Sequence, residues 1–86
     1  MPYIKQERRV KYEDALDDLM AVFVTNGAQP GDLNYIITRI LSRSYPKLNY
    51  VQINEVVGIL ECAKLEYYRV FAAPYEDEKK ALNGSV

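Results

Sequence analysis

An all-α fold is what this chain predicts: a small helical bundle of three main helices plus a short C-terminal helix, behind an extended N-terminal arm. Two observations carry that expectation. Apolar residues recur at helical spacing in three long stretches, and Asn-Gly, Pro-Gly and Tyr-Pro breaks separate those stretches. No alternation of the strand kind runs beyond the arm itself.

The arm, residues 1–7, reads as extended because Pro2 disfavours a helix, while Tyr3 and Ile4 are apolar enough to dock. Helix 1 is expected over 8–24. Tyr12, Leu16, Leu19, Met20 and Phe23 share one face there, and Asp14, Asp17 and Asp18 make the outer face acidic. Thr25-Asn26-Gly27 stops it, since asparagine and glycine tolerate a left-handed cap. Pro30-Gly31-Asp32 reads as a turn, with glycine at φ > 0 and Asp32 as the cap of helix 2 over 32–44. Leu33, Ile36, Ile37, Ile40 and Leu41 form one face of that helix, and Tyr35 points away. Tyr45-Pro46 ends it, because a residue before proline leaves the α region.

Helix 3, expected over 49–72, has the clearest start: Asn49 as N-cap, Gln52 at N3 reaching back, and Leu48 stapled against Ile53. Its apolar residues, Ile53, Val56, Val57, Ile59, Leu60, Ala63, Tyr67, Tyr68, Val70 and Phe71, fill roughly half the helical wheel. A second stripe of Val51, Gly58, Cys62 and Leu65 lies nearly opposite. A helix with two apolar sides has to be covered on both. Pro74 then starts helix 4, over 74–82, with Glu76, Asp77 and Glu78 in the first turn, where the helix dipole favours anions. Asn83-Gly84 ends it.

With 86 residues the chain supports one domain, spanning 1–86. It is 49% hydrophobic and 27% charged, outside the range of disordered chains. A net charge of −1 argues against neutralising phosphates along a duplex, so nucleic acid is not an expected partner. The charge is uneven. The first eleven residues are +3 through Lys5, Arg8, Arg9 and Lys11 against Glu7, residues 12–37 are −5 with no cation, and residues 38–47 are +3 through Arg39, Arg43 and Lys47. Such alternation suits complementarity within or between copies. With one cysteine and no histidine, an intramolecular disulfide, a thiol-rich zinc site and a histidine general base are excluded. Neither a signal peptide nor a membrane span is legible, and an intracellular, cytoplasmic protein is the expectation.

Several residues invite a functional reading. Lys64 falls inside the apolar arc of helix 3, as a stem that packs and an ammonium paired with Glu61, or as a cation held for an anionic ligand. Arg39, Arg43 and Arg69 are candidates for a phosphate clamp, although surface ion pairing is the commoner fate of arginines. Glu55, Glu61 and Glu66 are spaced by six and five, which does not stack them on one face for a metal, and no metal or cofactor is expected. Tyr67 and Tyr68, among eight tyrosines against two phenylalanines, suit a subunit interface or a ligand platform. Gly58 and Cys62 make a shallow groove that another helix can approach closely. Cys62 lacks any histidine to activate it as a nucleophile.

The strings MPYIKQERR, GDLNYIITRIL and VVGILECAKLEYYRVFAAPYEDEKKALNG resemble an uncharacterised family of small proteins from bacteria, archaea and their phages. The likeness covers nearly the whole chain and implies a phage or prophage origin. A fainter likeness is to the all-α nucleoside triphosphate pyrophosphohydrolases, whose helices offer paired acids to Mg²⁺. Asp32-Leu33-Asn34 and Asn54-Glu55-Val56-Val57-Gly58 stand at comparable places. Gly58 occupies the place of a needed aspartate, so that resemblance implies a degenerate metal centre.

These readings converge on a non-enzymatic interaction or ligand-binding module that forms a homo-oligomer, a dimer or higher. Val51, Gly58, Cys62, Leu65, Tyr67 and Tyr68 are its candidate interface. Lys64, Arg39, Arg43, Arg69, Tyr67 and Tyr68 are its candidate ligand site. The alternative is a nucleotide-handling protein that holds a phosphorylated small molecule.

Overall fold

A computed structural model describes residues 2–86. Four helices follow in chain order: α1 (Gln6–Asn26), α2 (Pro30–Ser44), α3 (Tyr50–Tyr67) and α4 (Ala73–Asn83). A π turn, Tyr68–Ala72, joins the last two. The all-α class is therefore the observed one, and the described residues contain no strand.

Local chemistry accounts for most of the boundaries. α1 ends where Gly27 takes φ 78°, and the Gly27 amide donates to the Phe23 carbonyl at 2.7 Å. Gly84 ends α4 in the same way, at φ 89°. Such φ values strain any residue with a Cβ, so both glycines are fitted to these exits. At the start of α3 the Asn49 side chain accepts from the Gln52 amide at 2.9 Å, the expected N-cap. Gln52 does not reach back to Asn49. Its Oε1 accepts instead from the Lys47 amide at 3.0 Å, which ties the α2–α3 linker to the helix. Nor does Leu48 staple onto Ile53, for Leu48 is 91% exposed.

Three further expectations change. Pro30-Gly31-Asp32 is not a turn before α2 but its first turn. Pro30 sits at a position whose missing N–H costs nothing, and Gly31 has no positive φ. Asp32 is not the N-cap. It lies three residues inside, where its Oδ2 accepts from the amide of the cap residue Gln29 at 3.0 Å. A regular helix 3 over 49–72 also does not form, because α-helical bonding stops at Tyr67. Pro74 has no N–H to give the Val70 carbonyl, and its ring would crowd that oxygen in an α-helix. The π turn widens the coil ahead of it, and the Ala73 amide donates to the Tyr68 carbonyl. Pro74 thus falls in the first turn of α4 without interrupting the rod.

Tertiary packing is sparse. Apart from the continuous rod of α3, π turn and α4, no two helices run in close backbone contact. The radius of gyration is 16.5 Å, against about 12 Å for a compact chain of this length. Accessible surface is 7,860 Å², where a compact monomer of this mass exposes about 5,200 Å². Among the described residues not one is buried. Leu19, Phe23, Ile36, Leu41 and Val56 are half-buried, while Leu16, Met20, Ile37, Ile40 and Val57 of the same faces stay exposed. The amphipathic faces have formed, and one copy leaves them open.

Replacing Pro74 by alanine returns the missing donor and removes the ring. The π turn should relax toward α geometry, and the protein should gain roughly 1–3 kcal/mol, up to the usual cost of a proline inside a helix. Denaturant unfolding of Pro74→Ala beside the parent measures this. A destabilised variant would show that the π turn is held by something other than the proline.

Candidate functional site

The first feature of the functional surface is a groove between α2 and α3. The 45–49 linker turns the chain back, so the last two turns of α2 face the first half of α3. Thr38, Leu41 and Tyr45 form one wall and Ile53, Val56, Val57 and Leu60 the other, around a space of about 240 Å³. Lys47 and Leu48 close one end. The lining is overwhelmingly apolar. Lys47 and the Tyr45 hydroxyl are its titratable groups.

The second feature is the opposite stripe of α3. Pro2 of the arm lies beside Gly58, Ile59, Cys62 and Ala63, and these five residues bound a depression of about 400 Å³. No helix of the same chain approaches Gly58, since a Cβ built there would meet nothing within 4 Å. The arm borders this stripe through Pro2 rather than through an apolar docking of Tyr3, which is exposed, and leaves Val51 and Leu65 exposed.

What holds the arm is polar. The Tyr3 hydroxyl donates to Glu66 Oε1 at 2.5 Å, the same oxygen accepts from Arg69 Nη2, and Arg69 Nη2 lies 3.5 Å from the Tyr3 oxygen. A second tie runs from Arg9 Nε to the Ile4 carbonyl at 2.7 Å. Glu66 is the focus of the cluster, its side chain only 17% exposed. The Tyr3 hydrogen bond, and then the Arg69 guanidinium, hold its carboxyl below the usual glutamate range. The Tyr3 hydroxyl is raised in turn, chiefly because it donates to that carboxylate. Arg69 is raised by the same acceptor and stays charged throughout.

The candidate ligand residues do not converge. Lys64 is exposed, and its ammonium pairs with Glu61 at 3.2 Å, one turn back on α3. Arg69 is taken up by Glu66 and Tyr3. Arg39 and Arg43 project from α2, four residues apart, with no ion pair among the described residues. Tyr67 and Tyr68 are both exposed on the rod, and the Tyr67 ring lies against Phe71 with centroids 4.9 Å apart, tilted by 40°. No group of acids, cysteine or histidine among the described residues stands where it could hold a metal ion. Two of the three α3 glutamates, Glu61 and Glu66, are already paired with cations.

The sequence model of a family described as a domain of unknown function, DUF6899, matches residues 1–86. The chain belongs to that family. No curated protein and no solved structure matches it.

Two predictions follow from this geometry. Because the folded pKa of Glu66 lies below its unfolded one, the arm's attachment is complete above the ordinary glutamate range and is lost as pH falls through the lowered value. Tyr3 sets the other limit: its raised pKa means the tie persists below the ordinary tyrosine range and fails as pH rises past the raised one. Protection of the Tyr3, Ile4 and Lys5 amides, as exchange relative to the unfolded chain at each pH, should therefore be greatest between those limits, and Glu66→Gln should flatten the acid arm of the profile. The second concerns Lys64. Lys64→Met should change stability by no more than about 1 kcal/mol, as for other exposed ion pairs, and chemical denaturation reads this directly.

Proposed function

We propose that this chain is a non-enzymatic helical interaction module that works as a homo-oligomer, its apolar faces covered by further copies of itself. The observation that carries this reading is the surface it leaves open. A single copy exposes about 2,700 Å² more than a compact monomer of 9.9 kDa. Two copies together would thus have about 5,300 Å² to remove from water, at the upper end of obligate interfaces. Much of that surface belongs to large apolar side chains, Leu16, Met20, Ile37, Ile40 and Val57 among them, and contiguous apolar patches beyond a few hundred Å² are uncommon on proteins that act alone.

The chemistry of the exposed residues supports the same reading. Tyr67, Tyr68, Phe71 and Tyr75 are exposed along the rod, with Arg69 among them, and such residues are enriched in interface cores. The resemblance of its three sequence strings supports a phage or prophage origin, and with it action in the host cytoplasm. Among the described residues no helix is long and apolar enough to cross a membrane.

Sedimentation or light scattering at low micromolar concentration should give a multiple of 9.9 kDa. The thermal midpoint should also rise with protein concentration, because association and folding are then linked. A species of single-chain mass, unchanged over a tenfold dilution and with a fixed midpoint, would overturn this reading.

A further inference from the structure

We propose that the occupant of the α2–α3 groove is α1 of a second copy of this chain, seated by its Tyr12–Phe23 stripe with its acidic edge against Arg39, Arg43 and Lys47. This rests on the homo-oligomer reading and specifies its contact. The shapes agree in length. Tyr12 to Phe23 spans about 16 Å of helix and Ile53 to Leu60 about 10 Å of groove wall, at 1.5 Å per residue, so the stripe covers the groove end to end. The space also suits side chains rather than solvent. Its 240 Å³ exceeds the roughly 150 Å³ of an apolar cavity that holds benzene, room for one ring with an aliphatic neighbour. Tyr12, Leu16 and Met20 are each about half exposed within one copy and supply such groups.

Charge selects the partner. Glu13 and Asp17 lie four residues apart beside the apolar stripe of α1, and Arg39 and Arg43 lie four residues apart beside the groove-lining Ser42 of α2. Among the described residues none of these four charges, nor Lys47 at the groove mouth, has an ion-pair partner. A copy of α1 brings the complementary pair to each arginine. A two-fold arrangement makes the contact twice, α1 of each copy in the groove of the other, and so closes without free ends.

The test uses two full-length variants with exposed charges reversed, Glu13→Lys/Asp17→Lys and Arg39→Glu/Arg43→Glu. Each alone opposes like charges at both contacts, and its dissociation constant should rise by roughly tenfold or more, since like-charge juxtaposition costs several kcal/mol. Mixed in equal amounts, the two should recover the parent's assembly, because every α1 then meets a groove of opposite sign. That recovery also shows that both variants fold. Dissociation of each without recovery on mixing overturns the proposed contact. If the parent is oligomeric and neither reversal weakens it, the copies associate through another surface, and this inference fails while the homo-oligomer reading stands. A monomeric parent removes both.

Discussion

The rest of this structure depends on a shortage of cover for apolar surface. Three amphipathic helices and a fourth short one can close a core only when each stripe faces another, and here the longest helical rod has two stripes rather than one. α1 and α2 each bring a single apolar face, and neither settles against the rod closely enough to bury a residue. At about 25 cal/mol per Å² the surface left open is a large fraction of what burial could contribute to folding. Individual helices of 15–21 residues are marginal in water without such packing. The caps at Asn49, Gly27 and Gly84 define where the helices begin and end, but capping is worth only about 1 kcal/mol per site. Association supplies the missing cover in the reading favoured above.

Within that open frame the polar tie of the arm has a particular role. Among the described residues the extended segment 2–5 is paired along its backbone only at the Lys5 carbonyl, which accepts from the Arg8 and Arg9 amides, and its contact with α3 is made through one hydroxyl, one carboxylate and one guanidinium. Glu66 accepts from both neighbours, so removing either donor leaves a half-exposed pair rather than an orphaned charge. A contact of this kind places the segment without adding much to stability. It also sets Pro2 at the edge of the small-residue stripe, the side of α3 opposite the α2–α3 groove.

Features written within a few residues were legible in the sequence, and features that join distant residues were not. Asn49, Gly27 and Gly84 act through their nearest neighbours, and their roles follow from residue chemistry. Pro74 was legible as a helix start. The π turn ahead of it was not, because no residue type marks an i→i+5 pattern. Pro30-Gly31-Asp32 fits either a turn or the opening of a helix, and the reach of Asp32 back to Gln29 decides for the helix. The arm's apolar character was readable, whereas its partner Glu66 stands 63 residues away from Tyr3 and no local pattern points to it. The pairing of Lys64 with Glu61 is an i,i+3 relation and was open to reading. The groove, built from two helices and a linker, shows itself only when the 45–49 segment is folded.

The π turn bears on more than the proline it accommodates. Each of its residues advances the coil by less than an α residue does, so the angular phase of the rod slips between Tyr67 and Ala73. Side chains of α4 consequently fall out of line with those that the periodicity of α3 would place beneath them. Tyr75 and Leu82 do not prolong the row ending at Tyr67 and Phe71, but begin a row of their own at another azimuth. A rod continuous in its backbone thus presents two differently oriented edges. Deleting one residue from this turn would bring them into register without shortening either helix.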